Sequence, residues 1–297
     1  MSSSSPPLSF WDFVDPSKPW VFGNGKGAFD GFFNFVPRHY RYGPWHVASN
    51  LMLGALAYLL ILAATWMRLN PPSQHGGWMS LFHLGDEHYQ PYTTAWYATF
   101  AIFCWMAFIC WDVMYRSPMG KTAWISFTLW SWTTVTIRHG LLVLAPWLSS
   151  VRVPAEILRF PGLLSASVTT GVWNFVLFPA IALFYIKDAE QRKNFIGYFT
   201  NFRLTQLHVF NIFFAVANGA VLEPRRHLHL GDFAAGVVMV VTYMLFYFCI
   251  LDRLGIHLYP IFSPRTPIAI PSLLLVIGAC VGGFNFWKGI LPQGELM

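Results

Sequence analysis

The sequence predicts an all-α fold: a polytopic transmembrane helical bundle of about seven spanning helices, with an aromatic-rich, irregular N-terminal segment. Apolar residues make up 55% of the 297 residues and charged residues only 11%, whereas about a quarter of a soluble domain is charged. Aromatic residues reach 18%, with 14 Trp and 28 Phe, which suits a chain with many membrane interfaces. The shortage of charge excludes an ordinary soluble enzyme, because such an enzyme needs a water-facing surface.

The first 46 residues form a region of their own before the bundle of residues 47–297. No Lys or Arg occurs before Lys18, so we expect neither a secretory signal peptide nor an Arg-rich transit peptide. Glycines and prolines interrupt the region too often for a spanning helix. Its aromatic side chains are Trp11, Phe13, Trp20, Phe22, Phe29, Phe32, Phe33, Phe35, Tyr40, Tyr42 and Trp45. Because aromatic side chains left in water are costly, we expect the segment to lie on the bilayer interface or on a partner subunit.

Seven stretches are long and apolar enough to span a bilayer, since each is near or above the minimum of roughly 17 residues. The predicted spans are Val47–Met67, Thr93–Trp111, Thr122–Leu148, Leu163–Ile186, Leu204–Leu222, Phe233–Leu251 and Ile268–Trp287. Helix breakers mark the connections between them. These breakers are Asn70-Pro71-Pro72, Ser117-Pro118, Pro154, Pro161, Pro224, Pro260, Pro264 and Pro267.

The distribution of basic residues predicts the orientation of the bundle. Lys and Arg concentrate in the N-terminal segment and in the loops after the second, fourth and sixth spans. This bias places the N-terminus on the cytoplasmic or matrix side, and an organelle such as the mitochondrion, in its inner membrane, is one expectation. The net charge of +6 comes without a long basic run, so we expect no nucleic-acid partner. The four cysteines all lie in apolar stretches without a CxxC pair, which argues against disulfides and zinc.

Thr128 and His208 are the candidate catalytic residues. They lie near the starts of the third and fifth spans, at depths of roughly 9 and 6 Å from the basic side. A hydroxyl and an imidazole within reach of each other, away from bulk water, could form a nucleophile and its base. Asp112, Asp252 and His257 are expected near the same side and could orient the histidine. The alternative is that both residues only form hydrogen bonds between helices.

Arg138 and His139 interrupt the third span and are the candidate lipid-binding residues. A charge at the centre of a bilayer costs at least ~2.5 kcal/mol, so the arginine needs a compensating environment. Its guanidinium can extend to the headgroup layer, pair inside the bundle or bind a lipid phosphate. We therefore expect bound phospholipids and no other cofactor.

His227 and His229 form an HxH motif that is a weak candidate for a metal site, with Glu223 and Asp232 nearby. A solvated polar loop is the alternative interpretation. Haem between bundle histidines is disfavoured, because the first, second, fourth, sixth and seventh predicted spans contain no histidine.

The stretch from Trp124 to Pro260 resembles the androgen-induced-gene and rolling-stone-like family of multi-pass membrane proteins. Trp124-Ile125-Ser126-Phe127-Thr128 is similar to an aromatic-Thr motif where a family helix begins. His208-Val209-Phe210-Asn211, with later Glu223 and His227, resembles the family's His-x-x-His or His-x-x-Asn motif. Tyr243 to Asp252, Gly255 and Tyr259-Pro260 resemble its closing segment. Some members hydrolyse esters of hydroxy fatty acids with an intramembrane Thr and His, and the resemblance places these roles on Thr128 and His208.

Two functions from different classes follow. The sequence slightly favours an accessory or scaffolding, lipid-contacting subunit of a larger membrane complex, because the aromatic N-terminal segment needs a surface to cover it. In this hypothesis the partners are membrane lipids and other subunits bound through that segment. The alternative is an intramembrane Thr/His hydrolase of lipid esters, indicated by the matched depths of Thr128 and His208. A transporter is a weaker third, because the spans lack a row of carboxylates.

Overall fold

A computed structural model of the chain describes residues 45–69, 89–117, 120–217, 228–252 and 256–291. Within these ranges every regular element is helical, which confirms the all-α class for the described part. The labelled helices are α1 Val47–Leu69, α2 Thr94–Arg116, α3 Phe127–Leu144, α4 Arg152–Ile157, α5 Arg159–Val172, α6 Ala189–Phe199, α7 Phe202–Thr205, α8 Asn211–Val216, α9 Leu230–Phe246 and α10 Ala269–Ile290. Most of the predicted N-terminal segment, residues 1–44, lies outside the described residues.

Among the described residues, five helices are long and apolar enough to cross a membrane, as expected of an integral membrane protein. They are Val47–Leu69, Thr94–Arg116, Ser149–Phe184, Leu230–Leu251 and Ala269–Ile290. These correspond to the first, second, fourth, sixth and seventh predicted spans. The predicted count of seven is not confirmed.

The third and fifth predicted spans are not among these five helices. Helix α3 has the length of a span but carries Arg138, His139 and several threonines, which lower its hydropathy. The fifth predicted span, Leu204–Leu222, lies partly outside the described residues, and its described part belongs to the apolar helix Phe202–Val216. Both segments contribute buried polar side chains to the interior of the bundle, as described below.

The fourth spanning helix begins earlier than predicted and runs over 36 residues, from Ser149 to Phe184. The sequence predicts Pro154 and Pro161 in the connection before this span, and that prediction is wrong. Both prolines lie in the first turns of α4 and α5, where backbone N–H groups have no acceptor within the helix and proline is tolerated. Farther along, two π-helical turns, Trp173–Leu177 and Ile181–Tyr185, interrupt the α-helical geometry.

A polar helix that the sequence analysis did not predict, α6, lies between the fourth span and α7. It begins at an N-cap, because the Asp188 carboxylate accepts a hydrogen bond of 2.7 Å from the backbone N–H of Gln191. Its side chains are mostly exposed, and Phe195 is its buried residue. Phe195 and Phe199 bring the end of this helix against Trp173, with the rings of Phe199 and Trp173 4.7 Å apart.

Two compact units make up the chain, and the larger one comprises residues 62–240 and 279–297. Helix α3 is its central element and packs against α2, α5 and α8. The Trp132 side chain is fully buried and its indole N–H donates a 3.0 Å hydrogen bond to the Met106 carbonyl on α2. Such burial of a whole indole with its polar group satisfied fixes the rotation of α3 in the bundle.

The smaller unit comprises residues 1–61 and 241–278 and contains a buried polar cluster around Asp252. The Asp252 carboxylate forms an ion pair with Arg265 and accepts a 2.8 Å hydrogen bond from the indole N–H of Trp45. His257 Nδ1 lies 3.5 Å from the same carboxylate. Asp252 therefore joins the end of the sixth predicted span to the start of the first.

Candidate functional site

Thr128 lies in the first turn of α3, directly after the residue that begins the helix. Ser126 is the N-cap, and its hydroxyl accepts a 3.3 Å hydrogen bond from the backbone N–H of Leu129. This cap fixes the start of α3 and therefore the direction of the Thr128 side chain. The Thr128 side chain is buried, with 7% of the residue exposed.

His208 lies in a π-helical turn, Gln206–Phe210, which joins α7 to α8. Asn201 caps the beginning of α7, because its side-chain oxygen accepts a 3.0 Å hydrogen bond from the Leu204 N–H. The His208 ring stacks on Trp173, with ring centroids 4.4 Å apart and planes 23° from parallel. Trp173 belongs to the π turn Trp173–Leu177, so the stacked rings bring two π turns into contact. Such turns occur often at functional sites.

Thr128 and His208 are in direct contact. The distance from Thr128 Oγ1 to His208 Nε2 is 3.3 Å, and His208 Nδ1 lies 2.9 Å from the Leu204 carbonyl oxygen. A carbonyl oxygen can only accept a hydrogen bond, so in the neutral ring Nδ1 carries the proton and Nε2 is an acceptor. The Thr128 hydroxyl therefore donates to Nε2, which is the arrangement of a nucleophile and its general base.

A second polar pair lies one helical turn away from the first. The side-chain N–H of Asn211 donates a 2.8 Å hydrogen bond to the hydroxyl of Ser131, and both residues are fully buried. Ser131 follows Thr128 by three positions on α3, so the two pairs lie on one face of that helix. Since 80 residues separate both Thr128 from His208 and Ser131 from Asn211, the two helices run in the same direction.

Asn174 holds the backbone at His208 in place. Its side-chain N–H group donates to the His208 carbonyl at 2.9 Å and to the Thr170 carbonyl at 2.8 Å. Asn174 lies in the π turn that also carries Trp173. One short segment therefore fixes the histidine twice, through its ring and through its backbone.

The acidic residues expected to orient His208 contact other groups. Asp112 lies 2.5 Å from Arg203 Nε and 3.8 Å from Arg116 Nη1. Asp252 and His257 belong to the cluster of the smaller unit described above. The histidine is oriented instead by the Leu204 carbonyl of its own helix, a contact between residues four positions apart.

Arg138 is paired inside the bundle, and its side chain is only 2% exposed. Its Nε donates a 2.9 Å hydrogen bond to the Ala155 carbonyl. Its Nη2 lies 3.9 Å from Glu156 Oε1, and Arg159 Nη1 lies 3.7 Å from Glu156 Oε2. One carboxylate thus lies between two buried guanidinium groups. Of the alternatives raised by the sequence, pairing within the protein is the one observed, and phospholipid binding by Arg138 stays a prediction.

His139 does not form one site with Arg138. It is fully buried, and its Nε2 lies 3.3 Å from the Phe214 carbonyl oxygen on α8. Neighbouring positions on α3 therefore face different helices, α4 in one case and α8 in the other, as the rotation of about 100° per residue requires. Lipid binding by His139 likewise stays a prediction.

Of the two candidate metal ligands, His229 lies within the described residues and His227 does not. The backbone N–H of His229 donates a 2.8 Å hydrogen bond to the Asp232 carboxylate near the start of α9. In the described part of the chain no group of three or more His, Cys, Asp or Glu side chains is arranged to hold a metal ion.

Sequence patterns do not identify the residues that surround the Thr128–His208 pair. Trp173 and Asn174 lie in an apolar stretch where nothing in the spacing marks them. Glu156 and Arg159 carry a usable signal, because opposite charges three positions apart lie on one face of a helix. Pro154 and Pro161, on either side of Glu156 and Arg159, indicate a connection instead and outweigh that signal.

Comparison of this chain with protein-family models, with curated proteins and with solved structures finds no match. Its resemblance to the androgen-induced-gene and rolling-stone-like family therefore remains a proposal that depends on the quoted motifs. The interpretation of the site depends on its own geometry.

Proposed function

We propose that this protein is an intramembrane hydrolase of lipid esters, with Thr128 as the nucleophile and His208 as the general base. The observation that carries the proposal is the 3.3 Å contact between Thr128 Oγ1 and His208 Nε2, in a ring whose Nδ1 bonds to the Leu204 carbonyl. That second bond leaves Nε2 free to accept the hydroxyl proton. The resemblance of the same two residues to the Thr and His of a lipid-ester hydrolase family supports the assignment.

The chemistry follows from these protonation states. Thr128 Oγ1 attacks the ester carbonyl carbon and forms a new C–O bond, while Nε2 takes the hydroxyl proton. The imidazolium gives this proton to the alkoxide oxygen as the original ester C–O bond breaks, and the alcohol leaves. Water then attacks the acyl group on Thr128, and its proton passes through Nε2 to Oγ1. The free acid leaves and the enzyme returns to its starting state.

The position of Thr128 favours negative charge on the reacting oxygen atoms. The residue lies in the first turn of α3, where the unpaired N–H groups of a helix and its dipole produce a positive potential. Thr128 and His208 are both buried, so this potential is weakly screened by water. An aliphatic ester that diffuses in the bilayer matches this apolar setting.

A nucleophile-directed probe tests the proposal. Purified protein in mild detergent is treated with a long-chain fluorophosphonate, and labelling is located by mass spectrometry. We expect labelling on Thr128 and its loss in Thr128→Ala. The matched control is Thr136→Ala on the same helix, a buried threonine whose hydroxyl donates to the Trp132 carbonyl at 2.8 Å and makes no contact with His208 among the described residues. Absence of labelling in the natural protein, or its persistence in Thr128→Ala, would reject the proposal.

The second candidate is the accessory-subunit role, in an organellar complex or another membrane assembly. The observation that favours it is a row of exposed aromatic side chains on α2: Trp105, Phe108, Trp111 and Tyr115, between 38% and 62% exposed. Their rings contact one another at 5.8–5.9 Å between centroids. Such a row suits helices of neighbouring subunits or lipid chains. Copurification in mild detergent followed by mass spectrometry tests it, and a protein that always purifies alone would contradict it.

A further inference from the structure

We propose that Asn211, bonded to Ser131 one turn away from Thr128 and His208, holds the water that hydrolyses the acyl group on Thr128. The inference rests on the proposed hydrolase function. It concerns the second half of the reaction, which the Thr128–His208 contact by itself does not explain, because that contact places a nucleophile and a base but no water.

The observation behind it is an unsatisfied acceptor. Asn211 is fully buried, and its side-chain N–H already donates to Ser131. Its carbonyl oxygen Oδ1 is also buried and has no hydrogen-bond partner among the described residues. An acceptor left without a donor in a protein interior destabilises the fold, so such atoms usually bind ordered water or a ligand.

The chemistry of the site restricts what this acceptor can bind. Oδ1 needs an O–H or N–H donor, and an aliphatic ester offers only acceptors. The ester substrate therefore cannot satisfy it, whereas water can. Water is also the one reactant that the second step requires and that the bilayer does not supply.

The spacing suits a shared water molecule. The His208 and Asn211 side chains face the same side of α3, because they contact Thr128 and Ser131, which are neighbours one turn apart on that helix. A water between them can donate one hydrogen to Asn211 Oδ1 and the other to His208 Nε2. Its oxygen then attacks the acyl carbonyl carbon on Thr128, Nε2 accepts the proton, and Thr128 Oγ1 leaves as the hydroxyl after receiving that proton. Asn211 gives up no atom and acts as a water-positioning residue.

The test separates formation of the acyl-enzyme from its hydrolysis. Full-length protein in detergent micelles is mixed with p-nitrophenyl palmitate, and the burst of p-nitrophenol is compared with the steady rate that follows. Acid-quenched samples are examined by mass spectrometry for palmitoyl-Thr128. The variant Asn211→Leu conserves shape and removes the acceptor. Asn211→Asp retains an oxygen at that position, and Thr136→Val is the control for a conservative change elsewhere on the buried face of α3.

We expect Asn211→Leu to keep the burst, to lower the steady rate at least 10-fold and to accumulate palmitoyl-Thr128. Asn211→Asp should recover part of the steady rate, and Thr136→Val should match the natural protein. Hydroxylamine, a strong nucleophile that needs no positioning, should release the palmitoyl group from Asn211→Leu. A merely structural role of Asn211 would lower the burst and the steady rate together.

Other results overturn the inference. An unchanged steady rate in Asn211→Leu, an equal loss of burst and steady rate, or an Asn211→Asp variant as slow as Asn211→Leu each contradict it while the hydrolase proposal survives. Absence of palmitoyl-Thr128 and of turnover in the natural protein contradicts the hydrolase proposal itself. If Asn211→Leu does not fold, Ser131→Ala provides the same comparison, because it frees the Asn211 amide to rotate and should slow the steady phase alone.

Discussion

The side chain of His208 is fixed by the carbonyl oxygen of Leu204, 2.9 Å from Nδ1 and four residues earlier in the chain. In many hydrolases a carboxylate has this orienting role. Here a backbone carbonyl provides the acceptor without placing a second charge in an apolar bundle, where an unpaired carboxylate would be expensive. The contact fixes the tautomer and leaves Nε2 to Thr128.

His208→Gln tests the role of Nε2. Glutamine can still form hydrogen bonds in this place but cannot accept a proton at neutral pH. We expect the rate of fluorophosphonate labelling on Thr128 to fall by a factor of about 10²–10⁴, the usual contribution of a general base. Time-resolved labelling measures it. The control is Gln206→Leu, which removes the Trp105 hydrogen bond of a nearby buried side chain and should leave the labelling rate within about threefold. An equal rate in His208→Gln and the natural protein would exclude His208 as the base.

Glu156→Gln tests the buried charges of the larger unit. The change leaves Arg138 and Arg159 without their shared carboxylate, and both side chains are at most 2% exposed. Removing one partner from a buried ion pair costs about 3–5 kcal/mol. We expect a clear drop in the midpoint of thermal unfolding in detergent, read from tryptophan fluorescence. Glu190→Gln is the matched control, because Glu190 is exposed on α6. Equal midpoints for the two variants would show that the charge of Glu156 does not stabilise the fold.

The pairing of Thr128 with His208 could be predicted from the sequence, because depth in a membrane follows directly from position along an apolar helix. The same calculation could not identify Ser131 or Asn211, since choosing among residues of equal depth requires the rotation of each helix. Glu156 could not be identified for another reason. It lies between Pro154 and Pro161, and prolines indicate a connection as readily as a first helical turn. The sequence could not show how the charge of Arg138 on α3 is compensated, because its partners Ala155 and Glu156 lie on another helix.

Gly236 tests the close packing of α9 on α5. A Cβ atom added at Gly236 would lie 2.7 Å from two ring carbons of Phe160, and Phe160 is fully buried. Since the ring cannot move away freely, we expect Gly236→Ala to destabilise the protein by about 1–3 kcal/mol. Thermal unfolding in detergent measures the change.

Gly171→Ala is the control for that measurement, because nothing lies within 4 Å of a Cβ built at Gly171 on the same packed unit. In an open helical position alanine is favoured over glycine by about 1 kcal/mol, so this variant should unfold at the same temperature or higher. If Gly236→Ala is as stable as Gly171→Ala, the two helices are not in close contact at this point.

The orientation of the bundle can be tested on α6, whose exposed Lys193 lies between the fourth span and α7. The excess of basic residues places this connection on the same side as the N-terminus, in the cytoplasm or matrix. The test uses a variant whose four native cysteines are replaced by serine and that carries Lys193→Cys. In intact cells or mitoplasts the predicted side of α6 is closed to the medium. A membrane-impermeant maleimide should therefore react with Lys193→Cys only after the membrane is opened. Lys288→Cys, in the exposed last turn of α10 and predicted to lie on the opposite side of the membrane, should react in the same sealed membranes and so shows that the reagent reaches that face. Labelling of Lys193→Cys in sealed membranes of that orientation would reverse the predicted topology, and the Thr128–His208 pair would then lie toward the opposite leaflet.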